Sequence, residues 1–272
     1  MNNTQKISFI GAGNMSKAII SGLVDKGYLP TNIMASNPSA GKLDALKDTL
    51  GIHTTHDNQE AIDFADVVML SVKPHLMHSV CADFTLHNLD TLFVSIAAGL
   101  TVKRLREFLP ENAHIVRVMP NTPSAIGLGM SGIYATSDIT DPQVHLVEQI
   151  MQSVGKTVVV KTEDDINTVI AAAGSSPAYF FLIAEVMQRA AIDMGMDKTS
   201  ARTLVEQAML GSASLMQKTP ELELSQLRAQ VTSKGGTTAK AVESLQQDNI
   251  DKIFARAMQA AVARAKEMSE QF

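Results

Sequence analysis

The sequence is poor in cysteine, in aromatic residues and in clustered positive charge. Cys81 is the single cysteine among 272 residues, so an internal disulfide framework is excluded and a metal site built from several thiolates is not expected. The net charge is −5 and lysine and arginine form no block, although nucleic acids and anionic membranes both require a concentrated basic surface. We therefore expect a small-molecule ligand, with no metal, nucleic acid or membrane as partner.

Long hydrophobic runs and a secretion signal are also lacking. Apolar runs are broken within about ten positions, whereas a membrane-spanning helix needs roughly 20 apolar residues. Residues 1–6 lead directly into a strand pattern, without the apolar core of a signal peptide. Aromatic residues make up 4% of the chain, with no tryptophan, while alanine and methionine are abundant, which favours packed helices. We expect a cytoplasmic protein with a helical majority.

The order of patterns along the first half predicts an α/β domain. Residues 6–10 form an apolar run that ends at Gly11, and residues 16–23 then repeat apolar groups at helical spacing. Later segments typical of strands are 32–37, 66–72, 93–97, 115–119 and 158–160. Strands that alternate with helices predict a mostly parallel, doubly wound sheet, whose ligands bind beyond the carboxyl ends of the strands.

The second half is all-helical in its patterning after Glu163. This change predicts a domain boundary near residue 162, with a dinucleotide-binding domain over 1–162 and an all-α domain over 163–272. Residues 164–194 are apolar nearly all round and are interrupted at 174–177, which is typical of a buried, kinked helix. Because such helices would expose large apolar patches in a monomer, we expect a homo-oligomer; a self-contained bundle is the alternative.

A glycine-rich turn, Gly11-Ala12-Gly13-Asn14-Met15-Ser16, connects the first strand to the first helix. Two glycines permit a sharp turn and the approach of a pyrophosphate to the helix N-terminus. Ser16 replaces the third glycine of the Rossmann-type dinucleotide fingerprint, but a small residue still permits close helix–strand packing. We interpret the turn as a dinucleotide site; a glycine turn without ligand is the alternative.

The end of the second predicted strand indicates the cofactor. Asn37 stands where a site that prefers NAD usually has an acidic residue. Ser39 and Lys42 follow, so a 2′-phosphate would meet hydrogen-bond donors and no repelling carboxylate. NADP is the expected cofactor, with NAD as the second candidate. The same segment is also compatible with a simple turn and helix cap.

Later strands end in small or polar residues at the same edge of the predicted sheet. Asn121 lies between Pro120 and Pro123, which hold it rigidly, and we expect it to face the nicotinamide end of the cofactor. Ordinary loop punctuation is the alternative for each of these segments. The residues assigned to the cofactor at these strand ends are Ser71, Val72, Lys73, Ala97, Ala98 and Asn121.

One polar segment of the second half, residues 231–238, combines four hydroxyl-bearing residues with the glycine pair Gly235-Gly236 before a helical run. Its backbone N–H groups and hydroxyls can converge on an anion such as a carboxylate, although an ordinary helix N-cap fits equally well.

A Ser-His-Asp elbow, paired catalytic carboxylates and a metal-ligand cluster are lacking; His75 and His78 share a helical face and are predicted to be surface residues. This favours hydride transfer to an already activated substrate such as a protonated imine.

Six segments in a fixed order carry a family resemblance. They are Phe9–Met15, Val72–Pro74, Ser95–Gly99, Met119–Pro123, Gly174–Tyr179 and Gly235–Thr238. With these in register, the chain resembles the pyrroline-5-carboxylate reductase family over essentially its whole length. The resemblance implies the NAD(P)H-dependent reduction of 1-pyrroline-5-carboxylate to L-proline, the last step of proline biosynthesis. It further implies a homodimer through the C-terminal helices, an assembly such as a decamer, and an active site between subunits.

The resemblance also implies residue roles. Thr238 is the catalytic candidate and meets the ring nitrogen of the substrate, while Ser233, Gly236 and Thr237 hold its carboxylate and Glu221 lies near an acidic family position. The implied cofactor residues at the pyrophosphate are Gly11, Ala12, Gly13, Asn14 and Met15. Those at the adenosine ribose are Asn37, Ser39 and Asn58. Those along the rest of the cofactor are Val72, Lys73, Ala97 and Ala98.

Lys234 departs from the family, which usually has proline at this place in the substrate loop. The loss of proline costs roughly 0.4–1 kcal/mol in loop conformational entropy, or the lysine adds a positive charge beside the substrate carboxylate.

Two other functions stay open: a reductase of another cyclic imine or keto acid, and a catalytically idle NADP-binding partner. Retention of Ser233, Gly236 and Thr238 argues against the idle protein. A β-hydroxyacid dehydrogenase would need a lysine one turn after residues 174–177, and none is there.

Overall fold

Residues 4–271, which a computed structural model describes, form two compact units. The first runs through Ser175 and includes the end of the chain from Ala260; the second is Ser176–Gln259. This division follows spatial contact, and the functional boundary near residue 162 stays a prediction. The first three residues of the predicted lead-in over 1–6 lie outside the described part.

The first unit is built on one sheet. Its strands among the described residues are β1 (Ile7–Ile10), β2 (Ile33–Ser36), β3 (His53–Thr55), β4 (Val67–Leu70), β5 (Leu92–Ser95), β6 (His114–Met119), β7 (Gly129–Ala135) and β8 (Gly155–Val159). Their order is β3-β2-β1-β4-β5-β6-β7-β8, and every pair of neighbours is parallel except β6 and β7. The predicted Rossmann-type, mostly parallel sheet is confirmed. The sequence analysis missed β3 and β7 because a three-residue polar strand and a glycine-containing strand lack the apolar pattern of a core strand.

Helices cover both faces of this sheet. They are α1 (Asn14–Asp25), α2 (Ala40–Leu50), α3 (Asn58–Phe64), α4 (Pro74–Cys81), α5 (Val102–Arg106), α6 (Asp141–Met151) and α7 (Asp165–Val169). Successive side chains of a strand point to opposite faces, so each central strand contributes to two cores. Phe9 and Met69 join one buried cluster, whereas Ile10 and Leu70 join the other.

The interruption predicted at residues 174–177 is a π-helical turn, Ile170–Gly174, which follows α7 directly. α8 (Ser176–Asp193) begins after it, with Pro177 in its first turn, where the missing N–H needs no helical partner. Together these elements form a helical run over residues 165–193 that contains an 18-residue window with a mean hydropathy of 1.5. By length and composition this run is sufficient for a membrane span, which was not expected from the sequence, where the apolar runs were judged too short.

The second unit is helical. It contains α8, α9 (Lys198–Lys218), α10 (Leu224–Gln230), α11 (Thr237–Gln247) and the start of α12 (Ile250–Gln271). No residue of α8 is buried in the single chain, and Phe181 is 69% exposed. An apolar helix left uncovered in this way fits the expectation of a second subunit.

An ion pair ties β6 to the segment that leads into α7. Nη1 of Arg117 lies 2.6 Å from Oε1 of Glu163, and the Arg117 side chain is only 8% exposed. The same carboxylate oxygen accepts a hydrogen bond of 2.7 Å from the backbone N–H of Val102, at the start of α5. One carboxylate therefore links three parts of the first unit.

We expect Glu163→Ala to destabilise the protein, because it leaves the buried Arg117 guanidinium and the Val102 N–H without their acceptor. The loss in unfolding free energy should be about 1.5–3 kcal/mol, the range for a hydrogen bond to a charged group. Urea unfolding at a fixed protein concentration measures it. The control is Asp138→Asn, which breaks the exposed pair with Arg106 and should cost less than about 1 kcal/mol. Equal losses in both variants would contradict the role of Glu163.

Candidate functional site

The turn between β1 and α1 brings three strand ends together. Gly11 has a φ of +101°, and an added Cβ would lie 2.8 Å from the carbonyl oxygen of Ser71, so only glycine fits there. Its N–H donates to the carbonyl of Ser36 at 2.9 Å, and its carbonyl accepts from the Ser16 hydroxyl at 2.6 Å. Small residues at positions 11 and 16 thus set the turn at the carboxyl edge of the sheet.

Gly13 is the N-cap of α1, and no side chain caps this helix. A Cβ added at Gly13 would have no neighbour within 4 Å, so the space in front of the helix is open. The first N–H groups of α1 point into this space without helical partners, and the helix dipole favours an anion there. Open space and unfilled donors fit the pyrophosphate of a dinucleotide.

A cavity of about 340 Å³ follows the strand ends away from this turn. It brings together eight of the residues that the sequence analysis assigned to the cofactor: Gly11, Ala12, Gly13, Asn37, Asn58, Ser71, Val72 and Lys73. Lys42, predicted as a donor to a 2′-phosphate, also lines it. Lining residues without an assigned role are Ile10, Ser36, Pro38, Leu76, Val80 and His75, the last exposed as predicted.

The other assigned residues do not line this cavity. Met15 packs against the first core cluster and Ala97 against the second. Ser39 is the N-cap of α2 and Asn14 is the first residue of α1. Ala98 follows Ala97 in the turn after β5. Their contacts with the cofactor stay predictions.

Asn37 connects the end of β2 to the glycine turn. Its Oδ1 accepts a hydrogen bond of 3.2 Å from the N–H of Ala12, and its Nδ2 donates to the Ser39 hydroxyl at 2.7 Å. Both ends of the side-chain amide therefore bond to the protein. The sequence predicted either a structural role in the turn or contact with the cofactor for this segment. The two hydrogen bonds show the structural role, and contact with the cofactor stays a prediction.

Asn121 is buried, and its amide is likewise engaged within the first unit. Nδ2 donates to the carbonyl of Ala173 in the π-helical turn at 3.0 Å, and Oδ1 accepts from the N–H of Met130 at 2.9 Å. The side chain thereby joins β6, β7 and the π-helical turn. Its assignment to the nicotinamide end stays a prediction, and spacing alone could not show these partners.

The predicted substrate residues of the second unit lie mostly in one loop between α10 and α11. Gly235 has a φ of +75°, and Gly236 is the N-cap of α11 without a side-chain cap. Oγ of Ser233 lies so close to Gly236 that an added Cβ would approach it to 2.5 Å. The described residues thus form a helix N-cap with a glycine turn, one of the two expected alternatives, and no side chain caps it; the binding of an anion there stays a prediction. Thr237 and Thr238 are exposed in the first turn of α11, Lys234 is exposed in the loop, and Glu221 is exposed between α9 and α10.

Cys81 is excluded from thiolate chemistry by its surroundings. Burial raises the pKa of its thiol to about 12, so the sulfur stays protonated at neutral pH and is a poor nucleophile. Within residues 4–271, no group of three histidine, cysteine or acidic side chains is arranged to hold a metal ion.

Comparisons with known proteins find relatives for both halves of the chain. Residues 163–268 match the family model for pyrroline-5-carboxylate reductase dimerisation, and residues 6–99 match the model for NADP oxidoreductase, coenzyme F420-dependent. A pyrroline-5-carboxylate reductase of Vibrio alginolyticus is 52% identical over 98% of this chain and 99% of its own. The solved pyrroline-5-carboxylate reductase of Coxiella burnetii is 43% identical, with a TM-score of 0.93 over 98% of this chain and 99% of its own. The pyrroline carboxylate reductase of Plasmodium falciparum, solved with NADP bound, is 27% identical, with a TM-score of 0.86 over 98% and 99%.

Two alanine variants should separate the roles of the two glycines in the first turn. Gly11→Ala forces a positive φ and a backbone clash, so the unfolding free energy should fall by about 1–3 kcal/mol. Gly13→Ala should leave the unfolding free energy within about 0.5 kcal/mol, but its methyl group would fill the open space and weaken NADP binding. Urea unfolding and calorimetric titration with NADP measure the two effects. Unchanged NADP affinity in Gly13→Ala would show that no pyrophosphate approaches this turn.

Proposed function

This chain belongs to the pyrroline-5-carboxylate reductase family, and on that basis we propose how its residues share the reaction. The reaction is the NAD(P)H-dependent reduction of 1-pyrroline-5-carboxylate to L-proline, the final step of proline biosynthesis. The observation that carries this assignment is 52% identity to one such reductase along 98% of the chain. When bound, the reduced nicotinamide supplies the hydride.

NADP is the proposed cofactor in preference to NAD. The glycine turn would hold the pyrophosphate, and Asn37, Asn58 and Lys42 would surround the adenosine ribose in the cavity that they line. None of the residues that line this cavity is acidic, so nothing among them repels a 2′-phosphate. The relative from Plasmodium falciparum was solved with NADP, which supports the same choice.

The loop Ser233–Thr238 is the proposed substrate cradle. The Ser233 hydroxyl and the first N–H groups of α11, at Gly236 and Thr237, would bind the substrate carboxylate, since the start of a helix favours an anion. A protonated imine is already electrophilic at carbon, so the protein mainly has to orient it. Thr238 would place its hydroxyl at the ring nitrogen, and Glu221 is the second candidate for contact with the substrate.

The protein is an oligomer through its helical domain, and we propose a homodimer that assembles further, as into a decamer. The support is the match of residues 163–268 to a dimerisation domain and the exposed apolar side chains of α8, such as Phe180, Phe181 and Leu182. The apolar run over residues 165–193 is then a subunit interface in a cytoplasmic enzyme and not a membrane span. The start of the match at 163 also supports a functional boundary near residue 162.

Lys234 favours one second candidate, a reductase of another cyclic imine or of a keto acid. This lysine stands in the substrate loop where the family usually has proline, so the specificity of the cradle is the property that it would change. Oxidation of NADPH by the purified protein, followed by absorbance with 1-pyrroline-5-carboxylate and with other cyclic imines and keto acids, distinguishes the candidates. Parallel runs with NADH rank the cofactors.

Thr238→Ala should lower turnover roughly 10- to 100-fold, the effect of losing about 1.4–2.7 kcal/mol of transition-state stabilisation. The dissociation constant for NADPH should stay unchanged, because the hydroxyl is directed at the substrate. Thr238→Ser keeps the hydroxyl and is the matched control, which should recover most of the activity. Equal losses of turnover and of NADPH affinity in the alanine variant would instead give Thr238 a structural role.

Light scattering should give a mass of at least twice that of the single chain, because α8 exposes too much apolar surface for a monomer. Phe181→Glu should lower this mass by placing a charge on the exposed face of α8. Leu89→Glu, at a residue of the first unit that is 68% exposed, is the control and should leave the mass unchanged. A monomeric parent protein would contradict the proposed dimer.

A further inference from the structure

His56 lies next to the residue that marks the adenosine ribose in this fold. It follows the last residue of β3, and its Nδ1 lies 2.9 Å from the carbonyl oxygen of Asn37 at the end of β2. The pairing of Ser36 with Thr55 and the hydrogen bond from the Asn37 N–H to the Thr55 carbonyl fix this arrangement. In doubly wound sheets the ribose hydroxyls bind at the end of the second strand. Asn37 is at that position in this chain, and the His56 imidazole contacts Asn37.

The hydrogen bond to Asn37 determines the tautomer of the ring. A carbonyl oxygen can only accept, so Nδ1 of His56 must carry the hydrogen. In the neutral ring Nε2 is then an acceptor, and in the protonated ring it becomes a charged donor. Among residues 4–271 Nε2 has no hydrogen-bond partner, and the side chain is exposed.

His56 lines a second cavity, of about 660 Å³, beside the cofactor cavity. Pro38, Asn58 and Val80 line both cavities, so the two spaces adjoin along the end of β2. A ribose at Asn37 would therefore lie where the cofactor cavity adjoins the cavity that His56 lines.

The side-chain amides of Asn37 and Asn58, which lie near the expected ribose, are largely engaged with the protein. Both ends of the Asn37 amide are engaged with Ala12 and Ser39, and Oδ1 of Asn58 accepts from the Ser36 hydroxyl at 2.6 Å. Lys42 on α2 supplies a fixed positive charge. Histidine is the side chain whose hydrogen-bonding character ordinarily changes within the physiological pH range, and His56 is the histidine that contacts Asn37.

We propose that His56 contacts the 2′ position of the cofactor ribose and makes the choice between NADP and NAD depend on pH. The neutral imidazole accepts a hydrogen bond from the 2′-hydroxyl of NAD. The protonated imidazole donates a hydrogen bond to the 2′-phosphate of NADP and adds a positive charge. This inference rests on the cofactor site under the proposed function and adds to it a specificity-determining residue.

Other charged or titratable groups near the expected ribose also contribute to the pH dependence of binding. They are Asp57 before α3, Glu60 on α3, Asp83 after α4, Lys42 on α2, and Lys73 and His75 at the start of α4. The 2′-phosphate itself loses its second proton near pH 6, which strengthens its binding as pH rises. Protonation of His56 has the opposite effect, because a positively charged imidazole binds the phosphate more strongly at lower pH.

The test uses two probes that lack nicotinamide, adenosine 2′,5′-bisphosphate and adenosine 5′-monophosphate. Both carry the 5′-phosphate, so its titration cancels in the ratio of their dissociation constants. Calorimetric titration of the dimeric protein at about pH 6 and about pH 8 brackets the ordinary histidine pKa of about 6.5. Preference for the bisphosphate should rise roughly tenfold at the lower pH, as for one charge-assisted hydrogen bond.

His56→Gln should abolish this rise at the lower pH and leave the opposite trend that comes from the 2′-phosphate alone, whereas His53→Gln should keep the rise, because His53 packs edge-on against Phe64 and lines neither cavity. Proton NMR should also show His56 titrating at higher pH when the bisphosphate is bound. Persistence in His56→Gln of the rise in bisphosphate preference at the lower pH, or loss of that rise in His75→Gln alone, would overturn the inference. Binding of both probes with a constant ratio would refute the inference and leave the cofactor site intact; binding of neither would refute both.

Discussion

The close approach of Gly11 to the carbonyl of Ser71 is the constraint on which the site depends. It allows β1 to end against β4 while the Gly11 N–H bonds to Ser36 of β2, so three strand ends meet at one turn. A side chain at Gly11 would separate these ends, because its Cβ would collide with backbone that cannot move independently of the sheet. The open start of α1 and the adjoining cavity follow from that meeting point.

Around this turn, polar side chains mainly form hydrogen bonds within the protein. Asn37 links Ala12 to Ser39, and Asn121 links the π-helical turn to β7. Such engaged amides fix the walls of the proposed cofactor site. A reductase whose substrate arrives activated has little need of a strong acid or base, and the site has the character of a rigid frame.

The helical unit follows a different principle. Its loop at Ser233–Thr238 presents uncapped N–H groups and exposed hydroxyls, and α8 presents apolar side chains to solvent. A single chain would satisfy neither, since free donors favour an anion and exposed apolar surface favours a partner. Membership of a family with a dimerisation domain accounts for the second feature, and the proposed substrate cradle for the first.

The sequence by itself determined the fold class and most of the residues that line the proposed cofactor cavity, because apolar runs such as residues 66–72 and the turn Gly11–Ser16 are local patterns. It also pointed to the loop at Gly235-Gly236 and, through six ordered segments, to the family. Only the tertiary structure decided that β3 and β7 join the sheet, since their residues carry no apolar pattern. It alone decided the partners of Asn121 and the position of His56, because each contact joins residues far apart in the chain. Spacing along a sequence describes neighbours in the chain, whereas these roles depend on neighbours in space.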